Sequence, residues 1–88
     1  MPDKPVFTLM AIGEVPDGRL VMEPAGGEYQ LPTGKGLRIE VYERWAGATD
    51  DDADVTIEHG PGRLTIWLDT QAYRIWNEAG AEITNQAL

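Results

Sequence analysis

Residues 37–45 read LRIEVYERW, and this stretch decides the fold. Leu37, Ile39 and Val41 alternate with Arg38, Glu40 and Tyr42. A period of two puts the aliphatic side chains on one face of an extended chain and the polar ones on the other, which is the pattern of a half-buried strand and not of a helix. Glu43 interrupts the inward series before Trp45, so a bulge or a strand end belongs there. The alternation returns at 63–69 (RLTIWLD), where Leu64, Ile66 and Leu68 share one face and Thr65 and Trp67 the other.

Outward from these two stretches, glycine and proline punctuate the chain at short intervals, as they do where short strands meet in tight turns. Further strands are expected at 6–15, 19–23, 28–31 and 54–59. Pro16-Asp17-Gly18, Pro24-Ala25-Gly26-Gly27, Pro32-Thr33-Gly34-Lys35-Gly36 and Gly60-Pro61-Gly62 supply the turns. The segment 70–84 has two readings. Asp69 or Thr70 can cap a helix carrying Ala72, Ile75, Trp76, Ala79 and Ile83, with Gly80 inside it at a cost of about 1 kcal/mol. Alternatively, 73–76 is a seventh strand, Asn77-Glu78-Ala79-Gly80 a loop, and 81–84 the return. The hairpin is favoured, because a type I turn followed by a left-handed glycine is a common hairpin connection. The expectation is one all-β domain over 1–88, a small antiparallel sandwich or barrel of about seven to eight short strands, with one C-terminal helix as the alternative ending. Its core should draw on Val6 or Phe7, Leu9, Leu20, Leu37, Ile39, Val41, Val55, Ile57, Leu64, Ile66 and Leu68.

Composition narrows the function classes. A chain of 88 residues buries only about 60% of its unfolded surface, so the core is modest. Cysteine is absent, which removes disulfides and thiolate metal sites and points to a reducing, cytoplasmic setting. The first residues have no apolar signal-like run, and the longest nearly apolar stretch, 6–12, is too short to cross a bilayer. Fifteen acids against seven lysines and arginines give a net charge of −8. Such a balance argues against nucleic-acid binding, which needs a dense basic surface, and suits either plain solubility or steering toward a basic protein.

No motif reaches the standard of an active site. Thr33-Gly34-Lys35-Gly36 fails as a phosphate-binding loop, because Tyr29 stands where its first glycine belongs and Gly36 where it needs Ser or Thr. Asp50, Asp51, Asp52 and Asp54 offer oxygens for calcium, but Val55 and Pro61 occupy slots that an EF-hand gives to Gly and Glu; a solvated, mobile, metal-free loop is the expectation. His59 is the single histidine, and strand alternation turns it away from Glu58. Serine and cysteine are both missing, so a nucleophile is hard to build. The carboxylate pairs Asp69 with Glu78 and Glu40 with Glu58 exist only on paper.

One feature stands out from this background. Tyr42, Trp67 and Trp76 fall on the side opposite the aliphatic face, and Arg38, Arg44, Arg63 and Arg74 have the same parity on their strands. Aromatic rings and arginines together are the composition of an interaction surface. The competing explanation is that a second layer covers the rings, or that arginine stems shield them as ordinary sheet stabilisers. The sequence therefore reads as a small acidic, non-catalytic protein-binding module, such as an inhibitor, immunity or accessory protein, that meets a protein partner or a second copy through Trp67, Trp76, Tyr42, Arg38, Arg44 and Arg74 and needs no cofactor. The alternatives are a carbohydrate-binding β-module that stacks a sugar on Trp67 and Trp76, and a structural subunit whose edges pair between copies.

Overall fold

The computed structural model describes residues 4–42, 55–68 and 72–88. They form seven strands: β1 (Phe7–Ile12), β2 (Arg19–Glu23), β3 (Gly27–Gln30), β4 (Gly36–Val41), β5 (Val55–Gly60), β6 (Arg63–Leu68) and β7 (Tyr73–Trp76). The expected strands at 19–23 and 73–76 coincide with β2 and β7, and the others agree to within a few residues. Chain at 43–45 and 69, expected to extend two strands, lies outside the described residues, as does the acidic run at 50–54.

The strands divide into two sheets. The first has the order β1-β4-β7, antiparallel throughout, and the second the order β3-β2-β6-β5. Within the second, β2–β3 and β5–β6 are antiparallel hairpins, but β2 and β6 run parallel, Arg19 beside Arg63 and Met22 beside Ile66. The wholly antiparallel arrangement expected from the sequence is corrected at this one pairing. It arises because two hairpins dock side by side, and hairpin turns fix antiparallel pairing only inside each hairpin. The sheets pack face to face as a sandwich, and among the described residues no barrel closes.

Turn chemistry explains where strands stop. Pro61 and Gly62 are the two central residues between Gly60 and Arg63, and Gly62 takes a φ of +69° that a side chain would resist. At the other end of the fold, Gly80 takes +83° in the loop after β7. There the Asn77 N–H donates to the Ala81 carbonyl at 2.9 Å, the Ala81 N–H to Asn77 Oδ1 at 2.9 Å, and the Ile83 N–H to the Ile75 carbonyl at 2.8 Å. The hairpin reading of 73–84 is therefore correct, although its return is a single bridge, Trp76 to Glu82, and not a full strand. Gly13 and Gly18 serve a different purpose. A Cβ at Gly13 would overlap the Pro32 carbonyl, and one at Gly18 the Leu31 carbonyl, so only glycine lets the β1–β2 connection press against the chain leaving β3. Pro32-Thr33-Gly34-Lys35 forms a turn anchored there, the Gly34 N–H donating to the Gly13 carbonyl at 3.0 Å.

The core lies between the sheets. Leu9, Ile39 and Ile75 align across the first sheet, and Ile66 and Met22 across the second. Leu20, Leu37, Val41 and Leu68 are buried as expected, while Phe7, Leu9, Val55 and Leu64 pack against the core in part. One open choice is decided, for Phe7 over Val6, and one expectation needs correcting. Val6 faces solvent at 52% exposure, leaving Phe7 as the inward neighbour, and Ile57 is 45% exposed. Ile57 has the inward parity, paired with Ile66, but it lies on the edge strand of a four-stranded sheet that faces only three strands. Ala11, Met22, Tyr29, Leu31 and Ile75 are core residues that the alternation alone did not single out.

Candidate functional site

The structure divides the expected aromatic face between two sheets. Trp76, Tyr42, Arg38 and Arg74 come together on the outer surface of the first sheet. Trp67 also points outward, but from β6 of the second sheet, beside Glu23 and Thr56. It is 42% exposed on the opposite side of the sandwich. A single face holding all three rings is thus corrected, and Trp67 and Trp76 cannot form one stacking platform for a sugar. Arg44 lies outside the described residues. Arg63 sits with Trp67 on the second sheet, 3.6 Å from Glu28.

On the first sheet the register builds two rows. Met10 on β1, Arg38 on β4 and Trp76 on β7 are cross-strand neighbours, and so are Thr8, Glu40 and Arg74. Cross-strand side chains on one face sit close enough to touch, and Arg38 and Trp76 do. The Arg38 guanidinium lies 5.8 Å from the centre of the Trp76 ring and its Nε 3.6 Å from Glu40 Oε2. The Arg74 guanidinium lies 5.4 Å from the centre of the Tyr42 ring and its Nε 3.9 Å from Glu82 Oε1. Each arginine thus stacks on a ring while pairing with an acid, so the patch is close to neutral in a chain of net charge −8.

Tyr42 has the outward parity expected of it but is only 6% exposed. Its hydroxyl donates to Glu40 Oε1 at 2.9 Å. That hydrogen bond, more than burial, raises the phenol above its ordinary pKa, since it favours the protonated form. Tyr42 is therefore a support for Arg74 and Glu40, and not a contact residue of the free surface. The Trp76 indole N–H is buried and has no hydrogen-bond partner among the described residues.

What the sequence reading missed is β1. Phe7, Leu9 and Ala11 turn inward, so Val6, Met10 and Ile12 turn outward, and these three are 52%, 63% and 64% exposed. Together with the Arg38–Trp76 stack they make an apolar stripe with an arginine and an aromatic ring along its flank. The signal was present as the nearly apolar run at 6–12, interrupted only by Thr8, which reads as burial on both faces. An edge strand covered on one face only gives the same run.

The remaining candidates do not converge. Glu40 and Glu58 project from different sheets on opposite sides of the molecule, and Asp69 is outside the described residues. His59 is exposed on β5. Among the described residues no three His, Asp or Glu side chains gather in a way that would hold a metal ion. Nor is any helix there long and apolar enough to cross a membrane. A cleft of about 410 Å³ opens between β3, the 32–37 segment and the C-terminal hairpin, lined by Tyr29, Lys35, Glu78 and Leu88. Glu78 Oε1 in it accepts the Gly36 N–H at 2.5 Å, a contact that ties the hairpin loop to the start of β4. Comparison with known protein families, curated proteins and solved structures finds no match to this chain.

Proposed function

We propose that the chain is a small, non-catalytic protein-binding module of the cytoplasm, an accessory protein of the inhibitor or immunity kind, and that it meets its partner through the outer face of the first sheet. The observation that carries this reading is the exposed stripe of Val6, Met10 and Ile12 beside the Arg38–Trp76 stack. Exposed apolar side chains in a contiguous group favour association, and Met, Arg and aromatic residues are the types enriched where proteins meet. The unpaired Trp76 indole N–H adds to it: a buried donor without an acceptor costs about 1–3 kcal/mol, which a partner's carbonyl reached by a small ring movement would relieve. The chain as a whole carries an acidic excess, a net charge of −8. It would speed encounter with a basic partner more than it would hold the complex together.

A photo-crosslinking side chain at Met10, with a second at Thr65 beside Trp67 as the comparison, tests the reading in cells of the native host. The expected result is one protein captured from position 10, whose complex with the purified chain dissociates at least about tenfold faster on Arg38→Ala or Met10→Ser. Capture from position 65 alone, or dissociation unchanged by both substitutions, overturns it.

A further inference from the structure

The four sheet edges of the sandwich are treated differently. The edge of β7 is covered by the chain's own return, the Ile83 N–H donating to Ile75. The edge of β3 receives the C-terminus, the Leu88 N–H donating to the Glu28 carbonyl at 2.7 Å. Among the described residues no strand pairs with the outer edge of β5, which carries Glu58, and a charge on an edge strand discourages pairing with another chain. The edge of β1 has neither device. Among the described residues no strand pairs with it, and the stretch 6–12 contains no charged residue in a chain of net charge −8.

Backbone geometry specifies what β1 offers. The Gly13 N–H donates to the Lys35 carbonyl at 2.8 Å, and the β1–β4 register continues in step from there, Ala11 opposite Leu37 and Leu9 opposite Ile39. In an antiparallel ladder alternate residues bond to the same neighbour. Residues 9, 11 and 13 therefore bond inward to β4, and the N–H and C=O groups of Thr8, Met10 and Ile12 point out from the edge.

We infer that this edge pairs with the same edge of a second copy, β1 against β1 in antiparallel fashion, joining the two three-stranded sheets into one. A two-fold axis at Met10 sets Met10 opposite Met10 of the second copy, Thr8 opposite Ile12, Leu9 opposite Ala11 and Phe7 opposite Gly13. The free backbone groups then satisfy one another, and large inward side chains meet small ones. Strand pairing of this kind is self-complementary and closes at two copies. No charge faces a charge across the seam, although each copy is strongly acidic. The inference goes beyond the partner reading and joins to it: Met10 and Ile12 stay on the outer face, so the dimer presents two Arg38–Trp76 stacks on one continuous surface.

Sedimentation equilibrium from dilute to NMR concentrations, with residue-resolved amide exchange on the same samples, tests the pairing without reference to any other protein. The expected result is a reversible monomer–dimer equilibrium in which the amides of Thr8, Met10 and Ile12 gain protection as concentration rises, while those of Leu9 and Ala11 are protected throughout. Met10→Pro, which removes one outward N–H and leaves the β4 bonds intact, should hold the chain monomeric. A monomeric mass over the whole range, growth past the dimer, or a dimer whose residue 8, 10 and 12 amides stay fast overturns the inference. Capture of a second copy from position 10 belongs to this pairing and capture of a different protein to the partner reading, so the two readings fail separately.

Discussion

The two long sides of the sandwich solve one problem in opposite ways. On the side of β3 and β7 the chain sews its sheets together. Thr84 lies between them: its Oγ1 accepts the Ile75 N–H at 2.8 Å, and its carbonyl accepts the Tyr29 hydroxyl at 2.6 Å. One residue thereby stands in for a missing strand beside β7 and links it to β3. Burial holds the Tyr29 phenol above its ordinary pKa, with a smaller contribution from Tyr73. On the side of β1 and β5, no such stitch exists among the described residues, and Met10, Ile12 and Ile57 remain exposed. The difference separates a side closed by the chain's own polar groups from one whose apolar side chains stay exposed. Closing a sheet edge takes specific polar partners at fixed places, and the β1 and β5 side has none among the described residues.

The largest expected effect lies on the sewn side. Ile75 is fully buried between Ile39 and the return of the hairpin, and Ile75→Ala should cost about 2–5 kcal/mol in chemical denaturation. For a domain this small that approaches the whole stability. A cost near that of an exposed site would erase the contrast between the two sides. The next effect isolates the stitch. Thr84→Val keeps the shape but strands the Ile75 N–H, and should cost about 1–3 kcal/mol. Amide exchange should then quicken at Ile75 and at Ile83 ahead of the rest of the first sheet. Uniform quickening would mean that Thr84 merely fills space. The smallest effect is expected on the open side. Ile57→Thr, on an exposed edge position that favours β-branched residues, should change stability by less than about 0.5 kcal/mol. A larger loss would place Ile57 in the core, as its parity first suggested.

That last substitution marks the limit of what the sequence could say. Alternation reports which face of a strand a side chain occupies, and it was sound for Ile66, for Trp67 and for Ile57 alike. It does not report whether another sheet reaches far enough to cover that face. Ile57 is exposed for this reason, on a strand that overhangs its opposite layer. Nor does parity say which sheet a strand joins, so Trp67 and Trp76 appeared to share a surface they do not share. Turn chemistry was more informative, because it is local. Gly80 and Asn77 favoured the last hairpin over a helix, and Pro61-Gly62 marked the β5–β6 turn, with no need of distant partners. The parallel docking of β2 on β6 could not be read at all, since its register is set by packing between hairpins. At the candidate site the arginines and Trp76 were legible from composition and parity. The exposure of Met10 and Ile12 was not, because it depends on the first sheet having an uncovered outer face.

The same parallel pairing has a consequence in time. The β2–β3 and β5–β6 hairpins can each form on their own within microseconds, as turns of this kind do. Their union is slower, because Arg19 and Arg63 stand far apart in the sequence and the long loop between them must close before they meet. Closing a long loop before its contacts are rewarded slows folding, and chains dominated by such pairings fold in roughly milliseconds to seconds. During that interval β6 has a partner on one side only, and its Leu64, Ile66 and Leu68 wait for β2. The order of events is thus built into the strand order: two hairpins early, one sandwich late.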